Sequence, residues 1–154
     1  MIDAHKQFLL GPAGADKIRH SGRSLYEHLV GTHDLLQAWG NAEPVCAAGL
    51  FHSIYGTKHF KHRTWPITDR ETIRGLIGRD AEVLAHVFCT VDRPRIFLSE
   101  PEGPFWKILR DLREIEAANL IEQGSRSKWL QRLRESDVSE GAKRALQQHL
   151  DKAA

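Results

Sequence analysis

The chain has 154 residues, of which 41% are hydrophobic and 27% are charged, and this length fits one domain with a sizeable core. Its 22 lysines and arginines nearly balance 20 aspartates and glutamates, and the net charge of +2 excludes a protein whose overall field recruits nucleic acid or an anionic membrane. No apolar run approaches the ~18 residues of a membrane span, and two cysteines exclude a disulfide framework and a thiolate zinc site, so we expect a cytoplasmic protein.

Apolar residues recur at spacings of three and four along almost the whole chain, a pattern that predicts an all-α protein. Residues 1–22 are expected to form an arm or short helix, broken by the sequence Gly11-Pro-Ala-Gly14, and their apolar stretch is too short for a signal peptide. The first strong helix is predicted to begin at Ser24, because Ser24-Leu-Tyr-Glu27 has the form of a capping box.

The second predicted helix, residues 44–55, is apolar on nearly every side, which is typical of a buried central helix. A basic loop over residues 56–67 separates it from a short helix that a second capping box, Thr68-Asp-Arg-Glu71, opens and that stops near Gly78. Further helices are predicted over residues 80–91, 105–123, 127–134 and 139–152, with a loop at 99–104.

The chain is therefore expected to be a single domain over residues 1–154, built as a bundle of six or seven helices. Its core would span residues 23–123. Residues 124–154 would add amphipathic helices that serve as a packing cap or as a partner surface.

Three polar residues, His28, His52 and Asn119, occupy helix positions where the pattern favours apolar side chains. An unpaired buried polar group costs about 1–3 kcal/mol, so a chain that places three of them on separate helices is expected to bring them together. The alternative is that each is a core residue satisfied by a local backbone partner.

The two histidines and their helices resemble the HD-domain superfamily. Its motif is a His, a His-Asp doublet and a distant Asp on a later helix, and the corresponding positions here hold His28, His52-Ser53 and Asn119. The resemblance covers residues 20–123 and implies an HD-domain-like helical bundle. Members include metal-dependent phosphohydrolases, such as guanosine tetraphosphate hydrolases and cyclic-nucleotide phosphodiesterases, and a branch of diiron oxygenases. The chain would be a divergent branch with His-Ser in place of His-Asp.

The superfamily holds a divalent metal with histidines and carboxylates, so the resemblance implies iron, manganese or zinc on His28 and His52. Ser53 and Asn119 stand where carboxylates would be, and neutral side chains are much weaker ligands. The site would then be lost, or rebuilt with Asp92 or Glu122 as an added ligand. Further candidates for this role are Glu116, His59 and His20.

A second group of residues would contact the substrate. Residues 56–80 carry six Lys or Arg against three acidic residues. This suits an anion clamp over the pocket, formed by Tyr55, Lys58 and an arginine such as Arg74, or, alternatively, a solvated basic loop. The candidate substrate-binding residues in and around this segment are His20, Lys58, His59, Arg74 and Asp92.

Two mechanisms are open for a small-molecule enzyme acting on an anionic substrate that bears a phosphate or carboxylate. A metal would activate water or oxygen, or else His28 or His52 would act as a general acid–base while Ser53, Tyr55 and Asn119 orient the substrate. The alternative function is a catalytically inactive HD-like domain that binds a small molecule or a protein. Neither nucleic acid nor a membrane is the expected partner, and a homodimer is one candidate assembly.

Overall fold

A computed structural model describes residues 2–99 and 106–153. This part of the chain is mostly helical, as the apolar spacing predicts, and none of its helices is long and apolar enough to cross a bilayer. The helices are α1 (Ile2–Leu10), α2 (Leu25–Ala38), α3 (Glu43–Leu50), α4 (Arg70–Ile77), α5 (Arg79–Thr90), α6 (Trp106–Glu122), α7 (Leu130–Glu135) and α8 (Glu140–Ala153). Two short strands, β1 (Arg19–His20) and β2 (Arg23–Ser24), and two 3₁₀ turns, Ala15–Lys17 and Arg95–Leu98, complete the described elements.

The hairpin of β1 and β2 lies where the sequence predicted only an arm. The strands pair antiparallel with His20 opposite Arg23, and the connecting residues Ser21 and Gly22 have φ values of 51° and 82°. Positive φ at both central residues is the signature of a type I′ turn, whose twist suits a two-residue hairpin. His20 and Arg23 therefore flank the turn on the same side, directly before α2.

Two helix starts show how local side chains set the boundaries. At α2 the Ser24 hydroxyl accepts a hydrogen bond from the Glu27 amide (3.1 Å), as the capping box predicts. At α4 the cap is Asp69 rather than the predicted Thr68, and its carboxylate accepts hydrogen bonds from the amide and hydroxyl of Thr72. The predicted start of the long helix, at Phe105, lies outside the described residues.

Helix α3 is central and buried, as predicted, but it is shorter than its apolar run. All its residues from Val45 to Leu50 are buried, and the chain then turns, so His52 and Ser53 lie in a turn rather than in the helix. Close packing against α2 requires Gly49, because a Cβ there would clash with Leu36 Cδ1. The carbonyl of Gly49 also accepts a hydrogen bond from the His52 ring, so the same residue joins the helix packing to the site.

The largest core lies between α2, α3, α5 and α6, around residues such as Leu36, Phe88 and Leu112. Cys46 and Cys89 are buried core residues, as expected. A second cluster joins α1 to α2 and α4, and a third packs α7 and α8 against α6. The helices around α6 thereby fix its C-terminal half, which carries Asn119.

The packing at Gly49 can be tested with a pair of glycine substitutions. We expect Gly49→Ala to destabilise the protein by about 1–3 kcal/mol, because Leu36 is fully buried and has no space into which to move. Gly75→Ala is the matched control, since this exposed α4 residue has no atom within 4 Å of the added methyl and should gain about 0.5–1 kcal/mol of helix propensity. Urea unfolding of both variants measures the difference, and a Gly49→Ala protein as stable as wild type would contradict the assigned close packing.

Candidate active site

A cavity of about 700 Å³ lies between the hairpin, the turn after α3, the segment before the second 3₁₀ turn, and the end of α6. Three histidines, His20, His52 and His59, contribute to its walls together with Asn119, and we call it the histidine pocket. Its other polar side chains include Ser53, Arg93 and Glu116, and Phe60 and Trp129 contribute aromatic surface. A cavity of this size accommodates a metabolite-sized molecule.

His52 is held in a single protonation state. Its Nδ1 lies 2.6 Å from the carbonyl oxygen of Gly49, which can only accept, so Nδ1 carries the hydrogen. Burial is the main cause that lowers the pKa of His52 to about 3, and the charge of Arg93 also lowers it. At neutral pH the ring is therefore uncharged, and Nε2 presents a lone pair.

His28 lies beneath the pocket rather than in its wall. The ring is fully buried, stacks on His20 with centroids 4.2 Å apart, and meets His52 edge-on at 5.2 Å. Burial, followed by repulsion from His52 and His20, lowers its pKa to about 2. The histidines predicted to converge do so, but His28 would act on a ligand only through the groups above it.

A chain of hydrogen bonds sets the tautomer of His28. Arg93 Nη1 donates to both carboxylate oxygens of Glu116 (3.2 and 3.1 Å), and Glu116 accepts a hydrogen bond from Asn119 Nδ2 (3.2 Å). Because the carboxylate can only accept, the Asn119 amide must turn its oxygen towards His28, whose Nε2 lies 2.9 Å away. His28 therefore carries its hydrogen on Nε2 and leaves Nδ1 unprotonated.

Glu122 occupies the far side of His28. One carboxylate oxygen lies 3.5 Å from His28 Nδ1, and the carboxylate pairs with Arg23 of the hairpin. Gly31 makes room for it, since a Cβ there would clash with the Glu122 carboxylate. Arg23 also donates to the main-chain oxygen of Glu122 (3.1 Å), so the hairpin is attached to the end of α6. Glu122 does not line the pocket.

Tyr55 and Arg74, two predicted site residues, belong to another network and do not line the pocket. The Tyr55 hydroxyl donates to the buried Glu82 carboxylate (2.7 Å), which Arg70 and Arg74 also contact. Burial and the bond to Glu82 raise the pKa of Tyr55. The turn after α3 separates Tyr55 from His52 and Ser53, so the predicted anion clamp of Tyr55, Lys58 and Arg74 does not assemble.

The mouth of the pocket carries the exposed charges. Asp92 lies there and pairs with Lys58 (2.8 Å) and Arg95 (3.4 Å), and these partners lower its pKa against the effect of burial. His59 Nε2 donates to the Arg93 carbonyl (3.0 Å). Arg19, at the start of the hairpin, lines the mouth and has no acidic partner among the described residues.

The donor atoms do not fit the metal site that the HD resemblance implies. Residues 2–99 and 106–153 contain no group of three or more His, Cys, Asp or Glu side chains placed to hold a metal ion. Asn119 occupies Nε2 of His28 and Gly49 occupies Nδ1 of His52, while Asp92 is paired at the mouth and Glu122 is paired with Arg23.

Sequence reasoning missed Arg93 as a site residue, and with it the ion pair to Glu116. Residues 93 and 116 are far apart in sequence, so no local pattern joins them. The spacing of Glu116 and Asn119, three residues apart on one helix, is a signal that would have placed both on the same face.

The comparisons with known proteins yield one family. Its model, described as Domain of unknown function (DUF6817), matches residues 9–93, which is more than half of the chain. The chain belongs to this family. The DUF6817 match includes the hairpin, His28, His52 and Ser53, whereas Glu116 and Asn119 lie beyond it. No curated protein and no solved structure matches the chain.

The tautomer of His28 can be tested by changing Glu116. A glutamine at this position can donate to Asn119, which allows the Asn119 amide to turn over and donate to His28 Nε2. We therefore expect Glu116→Gln to shift His28 from the Nε2–H towards the Nδ1–H tautomer, as read from ring ¹⁵N chemical shifts of histidine-labelled protein.

Two further variants control this experiment. Asn119→Asp in the Glu116→Gln background restores an acceptor beside His28 and should return the Nε2–H tautomer. Glu114→Gln is the matched control, because Glu114 is also buried on α6 but accepts from Asn41 and Ser139 instead. If His28 keeps its tautomer in Glu116→Gln, the role assigned to Glu116 is wrong.

The buried histidines also predict a pH dependence of stability. Their folded-state pKa values lie below the ordinary 6.5, so the unfolded chain binds protons first as pH falls, and the free energy of unfolding declines below pH 6.5. Between pH 6.5 and about 5, each histidine should lower the free energy of unfolding by about 1.5 kcal/mol. Urea unfolding across this range should give a shallower slope in His28→Gln/His52→Gln than in wild type, and equal slopes would contradict burial of two neutral imidazoles.

Proposed function

We propose that the protein is a small-molecule enzyme that transfers a proton on an anionic substrate bound in the histidine pocket. The observation that carries the proposal is the fixed tautomer of His52, which leaves an unprotonated Nε2 on a ring that lines a cavity of about 700 Å³. The reaction class is a metal-free isomerisation, cyclisation or dehydration, in which one group first accepts and then returns a proton.

His52 is the general base in this proposal. Its low pKa keeps it unprotonated at rest, and an anionic substrate raises that pKa by favouring the imidazolium once the proton has moved. The Gly49 carbonyl bonded to Nδ1 holds the ring in place and stabilises the positive charge that develops. His28 packs edge-on against it as a neutral ring, and His20 stacks on His28.

The substrate's anionic group is assigned to the mouth of the pocket. Arg19 has no acidic partner among the described residues, and Arg95 shares Asp92 with Lys58, so the mouth has cationic groups that can bind a phosphate or carboxylate. Substrate-binding roles are accordingly proposed for His20, His59 and Asp92, which line the pocket, whereas Lys58 acts only through Asp92.

We also propose that the fold is a divergent HD-like bundle. What supports this is that His28, His52 and Asn119, the residues of the resemblance, meet at one place although they come from α2, the turn after α3 and α6. In such a bundle the hydrogen-bonded Asn119 takes the position of a metal-binding carboxylate, and we infer that an acid–base site has replaced a metal site.

Proton transfer can be tested by solvent deuterium exchange. The protein is incubated in D₂O with a panel of small carboxylates and phosphate esters, and loss of carbon-bound proton signals is followed by ¹H NMR. We expect at least one compound to exchange in the presence of wild type, and His52→Gln to slow this exchange by a factor of about 10² or more. His33→Gln is the matched control, since this α2 residue is buried but pairs with Asp34 away from the pocket.

The outcomes separate the alternatives. Exchange that survives in His52→Gln would show that the base is wrongly assigned. If a compound binds to wild type but no panel member shows deuterium exchange, the catalytically inactive binding domain is favoured. Iron, manganese or zinc copurifying at about one equivalent, and lost in His28→Ala/His52→Ala, would favour a rebuilt metal site instead.

A further inference from the structure

Three side chains that line the histidine pocket each have a buried polar atom without a hydrogen-bond partner within the described residues. They are the ring Nδ1 of His20, which can donate or accept, and two donors, the hydroxyl of Ser53 and the Nε–H of Arg93, whose residues are only 3% and 7% exposed. Buried donors are almost always paired, because an unmade hydrogen bond is costly. Two of them in one cavity wall indicate a ligand atom that accepts.

Both groups adjoin the proposed base. Ser53 follows His52 directly in the turn after α3. The Arg93 guanidinium stacks on Phe88, with its central carbon 4.3 Å from the ring centroid, and His52 meets the same ring edge-on at 5.2 Å. Ser53 and Arg93 therefore both adjoin His52, and all three residues line the same cavity.

The charge at this end selects what kind of acceptor it takes. Arg93 is bonded to Glu116, which also lines the pocket, so the pair is neutral as a whole. A fully charged phosphate or carboxylate placed there would be repelled by the Glu116 carboxylate. A neutral carbonyl oxygen accepts hydrogen bonds without that penalty, and the anionic end of the same molecule would lie at the mouth, near Arg19 and Arg95.

We propose that Ser53 and Arg93 form a carbonyl-oxygen subsite, and that the substrate is a small ketone or aldehyde with a remote anionic group. This inference rests on the proton transfer proposed above and names its substrate class. His52 Nε2 takes a proton from the carbon next to the carbonyl, the C–H electron pair forms a C=C bond, and the carbonyl π pair moves to oxygen as an enolate. The imidazolium that forms on His52 in the same step balances the charge of the enolate, so the subsite gains no net negative charge. Ser53 and Arg93 donate to that oxygen, and return of the proton to carbon or oxygen regenerates neutral His52.

The subsite can be tested by binding alone. The probes are a series of linear keto acids, each paired with the plain carboxylic acid of equal chain length, and affinities are measured by calorimetry on the full chain. We expect at least one keto acid to bind wild type about tenfold more tightly than its plain partner, the value of one buried hydrogen bond. Ser53→Ala and Arg93→Lys should each reduce this preference several-fold.

The variants are chosen so that folding does not decide the result. Arg93→Lys keeps a cation beside Glu116 but replaces the whole guanidinium, including its Nε–H, with an ammonium group, and Ser53→Ala removes a single hydroxyl. Ser21→Gly is the matched control, because it removes an exposed serine hydroxyl at the mouth, where the backbone already has positive φ, and should keep the preference.

Each outcome bears on one proposal. If no keto acid is preferred by wild type, or if the preference survives in both Ser53→Ala and Arg93→Lys, the carbonyl subsite is wrong. A keto-acid preference without deuterium exchange would retain the subsite and overturn the proton transfer. Deuterium exchange confined to compounds that lack a ketone or aldehyde carbonyl would retain the proton transfer and overturn the subsite.

Discussion

The ion pair between Arg93 and Glu116 is the interaction on which the rest of the site depends. Both side chains are almost completely buried, and removing two charges from water costs several kcal/mol for each ion, so each charge is stabilised here by its partner. Together they give the pocket wall a fixed polarity. The carboxylate orients the Asn119 amide, the amide orients His28, and the guanidinium lies on Phe88 next to His52. Loss of either partner would leave an uncompensated charge beneath the cavity.

The tautomers of the two central histidines are fixed by different means. His52 depends on a main-chain carbonyl, which no substitution of a side chain removes, whereas His28 depends on a sequence of side chains that begins at Arg93. Burial then lowers the pKa of both rings. The interior of the pocket is thus uncharged overall, while the charges that remain exposed lie at its mouth. Such a separation would orient a ligand with one anionic end before any specific contact forms.

Much of the fold could be predicted from the sequence, because seven of the described helices have an apolar pattern or a cap such as Ser24. The meeting of His28, His52 and Asn119 could be inferred from polar residues at apolar positions. Strands of two residues are too short to show an alternating pattern, however, so the hairpin could not be predicted. The separation of Tyr55 from Ser53 could not be predicted either, because it depends on where α3 ends. An apolar run does not show that its last residues form a turn.

The type I′ hairpin has a further consequence for how this site can change. It supplies His20 over the buried rings from a segment that is not part of any helix, and Arg23 attaches it to the end of α6. Residues Ser21 and Gly22 are exposed, so a longer turn would leave the helix packing undisturbed, whereas a side chain at Gly22 would be strained at its φ of 82°. One part of the pocket is therefore held by the helices and the segments that directly follow them, and the other part is formed by the hairpin. Changes in the hairpin could then alter which ligands bind while the His52 ring keeps its position.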